Sequence, residues 1–174
     1  MADVWIINGI PGSGKSTLAR RLAARLERGA HVEGDRLHDM IVAGKVLPGE
    51  DPQAESERQI HLNVRNQCLL ACSFAREDFT PVLDYVVVSR ARLEEYRRQL
   101  PDLVIRFVTL APGTEVALER DRKRPEKTVA VLWVHLEAEI EAELQGVGLW
   151  VDNARMTVDE TVSFVLGNAE RARV

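Results

Sequence analysis

Gly9-Ile10-Pro11-Gly12-Ser13-Gly14-Lys15-Ser16-Thr17 is the stretch on which the reading of this chain turns. It fits G-x-x-x-x-G-K-[ST], a loop that wraps phosphate. The flanks agree with it. Val4-Trp5-Ile6-Ile7 is an apolar, β-prone run, and Leu18, Leu22 and Leu26 recur at helical spacing on the other side. A strand, a glycine-rich turn and a helix in that order form the setting the motif needs. Gly9, Gly12 and Gly14 open backbone conformations closed to other residues, so successive N–H groups turn inward beside the positive end of a helix dipole. Lys15 adds a point charge near the transferable phosphate. Ser16 offers a hydroxyl to Mg²⁺. The expected nucleotide-holding residues are Gly9, Pro11, Gly12, Ser13, Gly14, Lys15, Ser16 and Thr17.

The chain has 174 residues, 45% hydrophobic and 29% charged, which suits one globular domain over 1–174 with a sizeable core. A net charge of −4 gives no basic field, so nucleic acid is not expected as a partner. Cys68 and Cys72 stand four apart in a helical pattern and read as small buried residues, not as a disulfide framework. The four histidines lack zinc-site spacing. The N-terminus reads as a core strand and not as a signal peptide, and no apolar run reaches the length of about 18 residues that a membrane span needs. A cytoplasmic protein without a membrane partner, working as a monomer or a homodimer, is the expectation.

Strand and helix alternate throughout, which predicts a parallel sheet flanked by helices. Strands are expected at about 3–8, 30–33, 80–84, 103–110 and 148–151. Helices are expected after the loop and at about 36–42, 54–75, 90–100, 114–122, 129–144 and 158–169. Thr157 and Glu160 suit a capping box before the last helix. Trp5, Trp133 and Trp150 read as core, and Glu137, Glu139, Glu141 and Glu143 as solvent-facing. Ligands of such sheets lie at the carboxyl ends of the strands. That rule selects the phosphate loop, Asp35, Asp84 and the pair Asp152-Asn153.

Asp35 follows the second strand in Glu33-Gly34-Asp35-Arg36. A carboxylate there suits proton acceptance from a substrate hydroxyl, and it also suits a helix N-cap. Asp84 closes Pro81-Val82-Leu83, where a carboxylate ligates Mg²⁺, unless Tyr85-Val86-Val87-Val88 extends the strand and buries it in mid-sheet. Arg120, Arg122, Lys123 and Arg124 cluster before Pro125. Guanidinium groups match the charge of a phosphoryl-transfer transition state, and a mobile segment at about 120–128 suits a lid. Arg120 and Arg124 are the expected catalytic arginines, with Arg122 on the nucleotide. Arg58, His61 and Arg65 stand at helical spacing; they suit the lining of an acceptor pocket and, taken alone, read more readily as a solvated face.

Together, Gly9–Thr17, Gly34-Asp35, Asp84 and the arginine segment resemble a small P-loop kinase over nearly the whole length. The plan is similar to that of gluconate and shikimate kinases and, through Val32-Glu33-Gly34-Asp35-Arg36-Leu37 and Leu83-Asp84, most of all to chloramphenicol-phosphotransferase-like proteins. The resemblance implies a P-loop NTPase fold with five parallel strands and an Arg-rich lid. It also implies ATP and Mg²⁺ as cofactors, a small hydroxylated acceptor, and the base role for Asp35. Family members can have two adjacent acids after the third strand, whereas Tyr85 follows Asp84 here. The segment 38–65 holds no acceptor motif. The alternatives are a slow ATPase switch that signals through a partner, and a nucleoside monophosphate kinase. No guanine signature is present.

Overall fold

The structure, a computed structural model, describes residues 2–123, 133 and 135–174. Its five strands are β1 (Ala2–Asn8), β2 (Gly29–Glu33), β3 (Thr80–Asp84), β4 (Leu103–Leu110) and β5 (Leu149–Val151). They lie in the order β2-β3-β1-β4-β5, and every pairing is parallel. The helices are α1 (Lys15–Arg25), α2 (Gly34–Asp39), α3 (Gln53–Arg76), α4 (Arg90–Gln99), α5 (Thr114–Arg122), α6 (His135–Leu144) and α7 (Val158–Gly167), followed by a 3₁₀ turn at Ala169–Ala172.

Alternation along β1 divides the core into two layers. Trp5 and Ile7 pack with Leu18 and Leu22 of α1 and with Val162 and Val165 of α7. Val4 and Ile6 face the other way, toward Val64 of α3, Leu93 and Tyr96 of α4, and Leu144 of α6. Each fully buried aliphatic side chain contributes about 1.5–3 kcal/mol. The central strand is apolar on both faces because helices cover both.

The structure differs from the sequence reading at the end of α2, at two tryptophans and at Cys72. α2 ends at Asp39, not near 42, because buried His38 donates from Nε2 to the Val46 carbonyl (3.1 Å) and folds the following loop back. β3 ends at Asp84 as expected and is not extended through 85–88, where the Asn8 side chain accepts the Val87 N–H on its Oδ1 at 2.8 Å. Of the three tryptophans only Trp5 is fully buried; Trp133 and Trp150 are half-buried. Cys68 is buried but Cys72 only half so. The capping box forms, with Glu160 N–H donating to Thr157 Oγ1 at 3.2 Å and Thr157 N–H to Glu160 Oε2 at 2.8 Å. Arg124 and the greater part of the expected lid, with the start of the helix expected at 129–144, lie outside the described residues. Among the described residues no helix is long and apolar enough to cross a membrane.

Candidate active site

The phosphate loop leaves β1 in the middle of the sheet and enters α1 directly. Gly9, Gly12 and Gly14 all have positive φ, at 141°, 85° and 97°. Gly12 is required for space as well: a Cβ there would stand 2.2 Å from the Ala117 carbonyl oxygen of α5. Ser13 N–H closes a turn on the Ile10 carbonyl (3.1 Å), and Lys15 Nζ reaches back to the same carbonyl at 3.1 Å. The first ladder bond of α1 runs from Leu18 N–H to the Gly14 carbonyl (2.9 Å), so the N–H groups of the first turn point out of the helix at the loop's mouth.

Two neighbours brace the loop from the β5 side. Asn153 Nδ2 donates to the Ser13 carbonyl at 3.0 Å. Arg120 Nη1 reaches that carbonyl at 3.3 Å, while its Nη2 donates to the Asn153 carbonyl at 2.8 Å. The Arg120 guanidinium therefore ties α5, the loop and the end of β5 together. Arg122, one residue short of the end of the described segment, is exposed. Ser13 Oγ and Asn153 Oδ1 are buried without a hydrogen-bond partner among the described residues, polar atoms beside the loop that a ligand would satisfy.

On the β3 side, Ser16 Oγ donates to Asp84 Oδ1 at 3.0 Å. Asp84 is 2% exposed and lies opposite Ile7 of β1 and Glu33 of β2. Its other oxygen meets His31 Nε2. A hydroxyl and a carboxylate side by side at the start of α1 are hard oxygen donors of the kind Mg²⁺ takes, and they fit the ion together with nucleotide phosphates. His31 was not singled out in the sequence. Only the register, which sets it opposite Val82 and diagonal to Asp84 on the same face, reveals the contact.

Asp35 stands at the end of β2, exposed, in the first turn of α2. It is not the N-cap that sequence allowed: that position is Glu33, and no side chain caps the helix. Gly34 beneath it is clamped. Asn63 Nδ2 donates to its carbonyl at 2.9 Å, and a Cβ on Gly34 would lie 2.5 Å from the Tyr85 ring. Asn63 belongs to a buried polar stripe on α3 that sequence reading missed. Ser56 Oγ donates to the Leu47 carbonyl at 2.9 Å and accepts from Gly49 N–H at 3.0 Å, Gln59 accepts from Val46 N–H at 2.9 Å, and Gln67 accepts from Tyr96 at 2.8 Å. The stripe fixes the Gly/Pro-rich loop between α2 and α3 next to Asp35. The i, i+3, i+4 spacing of Ser56, Gln59, Asn63 and Gln67 was the available signal.

Arg58 and Arg65 are exposed, as expected, with Arg58 paired to Glu55 at 2.7 Å. His61 is not simply solvated: its Nδ1 lies 2.9 Å from Glu95.

Solved structures share this arrangement of elements. An unliganded sugar kinase from Janibacter sp. HTCC2649 superposes with a TM-score of 0.75 at 20% identity, covering 99% of this chain and 96% of its own. A gluconokinase from Sinorhizobium meliloti 1021 gives 0.67 at 19% identity, with 97% and 92% covered. The tunicamycin resistance protein of Deinococcus radiodurans gives 0.66 at 22%, with 97% and 95% covered. At these identities the likeness establishes the fold alone. No curated protein matches by sequence. Residues 4–141, well over half of the chain, match the P-loop family AAA_33, described as an AAA domain, and the chain belongs to that family.

Proposed function

We propose that this protein is an ATP-dependent kinase that phosphorylates a hydroxyl of a small molecule. The observation that supports this best is the order of groups along the sheet edge. The phosphate loop sits on β1, Asp84 on the adjacent β3, and Asp35 on β2 beyond it, beside a loop held in place by α3. Asp35 thus stands one strand away from the expected metal position, which supports its reading as the base.

When bound, ATP supplies the phosphoryl group and Mg²⁺ neutralises its charge. The rest is work for this chain's residues. Gly12, Gly14 and the first turn of α1 present N–H groups to the phosphates, and Lys15 adds its charge. Ser16 and Asp84 would hold the metal. Asp35 would accept the proton of the acceptor hydroxyl as that oxygen bonds to the γ-phosphorus and the bond from phosphorus to the ADP oxygen breaks, ADP leaving. Arg120 keeps the loop and the β5 end in register, and Arg122 and Arg124 serve in closing over the nucleotide and excluding water.

The test is an acceptor panel of sugars, sugar acids, nucleosides, nucleoside monophosphates and hydroxylated antibiotics, read by mass gain of one phosphate. Asp35→Asn should lower kcat by about 10²–10⁴-fold with ATP affinity unchanged. Phosphate gain on no compound, joined to ATP-dependent capture of a protein partner, would replace the kinase by a switch.

A further inference from the structure

His31 belongs to β2, the strand at one end of the sheet, yet its ring reaches inward. Its neighbour Val32 packs in the layer toward α3. Side chains alternate along a strand, so His31 lies on the opposite face, the one covered by α1. The register agrees: His31 is opposite Val82, which packs with Leu18 and Leu22 of α1. Only 18% of the His31 side chain is exposed. Ser16, His31 and Glu33 border one groove on this face.

Both oxygens of the Asp84 carboxylate are engaged here. Oδ1 accepts from Ser16 Oγ at 3.0 Å, and Oδ2 accepts from His31 Nε2–H. Among the described residues these are the two donors to the Asp84 side chain. A carboxylate turns about its last bond in a broad profile, so one donor does not fix its orientation. Two donors on different oxygens do. The kind of ion that fits depends on this. Ca²⁺ takes carboxylates through one oxygen or both, in flexible geometry, whereas the smaller Mg²⁺ demands a near-ideal octahedron and keeps several waters. A carboxylate free to turn serves either ion. One whose Oδ2 is held by His31 presents Oδ1 alone beside Ser16.

We propose that His31 is a positioning residue that sets the metal preference of the site: by holding Asp84 Oδ2 it leaves Oδ1 alone to face the ion, which favours Mg²⁺ over Ca²⁺. The inference rests on the reading of Ser16 and Asp84 as the pair that would hold the metal. His31 acts through Asp84 and not on the ion itself, as hydrogen-bond partners of metal ligands do.

The test titrates Mg²⁺ and, separately, Ca²⁺ into the full chain with a nonhydrolysable ATP analogue, and reads analogue binding by calorimetry. The wild type should need less Mg²⁺ than Ca²⁺. The side chain of His31→Asn is too short to reach Oδ2. This variant should raise the Mg²⁺ midpoint about tenfold and the Ca²⁺ midpoint far less, because Ca²⁺ can use the freed oxygen. His31→Gln returns an N–H to the place of Nε2 and should restore the wild-type ratio of midpoints. Equal shifts for the two ions in His31→Asn would reduce His31 to a structural contact and overturn the inference, and so would a His31→Gln variant that matches His31→Asn. A wild type that takes Ca²⁺ as readily as Mg²⁺ would overturn it even if neither variant folded. Asp84→Asn separates this from the reading beneath it. If that variant leaves the Mg²⁺ midpoint in place, the metal pair falls and the inference with it. If it raises the midpoint while His31→Asn does not, only the inference falls.

Discussion

Ser16 and Asp84 are 68 residues apart in sequence and 3.0 Å apart in space. The contact exists because β3 is hydrogen-bonded to β1 in a register that sets Asp84 opposite Ile7, two residues before the phosphate loop begins. One hydroxyl from the start of a helix and one carboxylate from the end of a strand thus meet beside the phosphate loop.

Asp84→Asn tests that meeting. The amide preserves shape but removes the charge, so the Mg²⁺ concentration needed for binding of a nonhydrolysable ATP analogue should rise about 10–100-fold. A magnesium titration followed by calorimetry reads it. An unchanged midpoint would take Asp84 out of the metal site.

Gly12→Ala should damage both fold and loop. The new Cβ would meet the Ala117 carbonyl at 2.2 Å, and φ of 85° strains any L side chain. A loss of about 2–4 kcal/mol is expected in urea unfolding, from overpacking together with backbone strain. A variant as stable as the wild type would mean that α5 moves away at little cost.

Tyr96→Phe probes the buried polar stripe of α3. The Tyr96 hydroxyl donates to Gln67 Oε1 at 2.8 Å, with both residues fully buried. Removing the donor leaves the Gln67 oxygen in the core without it, at a cost of about 1–3 kcal/mol. Denaturant melts of the variant check this, and a neutral result would show that Gln67 finds another donor.

Alkaline pH should destabilise the protein through its buried acids. Burial pushes the Cys68 thiol from 9.0 up to about 12, and pushes the Tyr96 hydroxyl well above its ordinary value. Both groups are neutral when folded and ionise first in the unfolded chain. Their contribution is therefore intact below the unfolded values and is lost as pH rises toward the folded ones. Cys68→Ala should flatten the fall in stability above about pH 9 by one proton, about 1.4 kcal/mol per pH unit. Equal slopes for variant and wild type between pH 9 and 11 would show that Cys68 ionises freely in the native state.

The sequence by itself determined what is local. Gly9–Thr17 announced its own loop, because positive-φ glycines and a following helix are short-range requirements that residue identity meets alone. Alternating apolar runs determined the α/β class, and three elements, at 80–84, 103–110 and 114–122, were legible to the residue. Tertiary structure decided what depends on strand order. Which strand lies beside β1 is a matter of how helices pack on both faces, and no local pattern encodes it. That order brought His31 to Asp84 and set Arg120 under Ser13. It also brought Arg92 of α4 to Glu57 of α3, 35 positions apart, a pair that nothing in the sequence links.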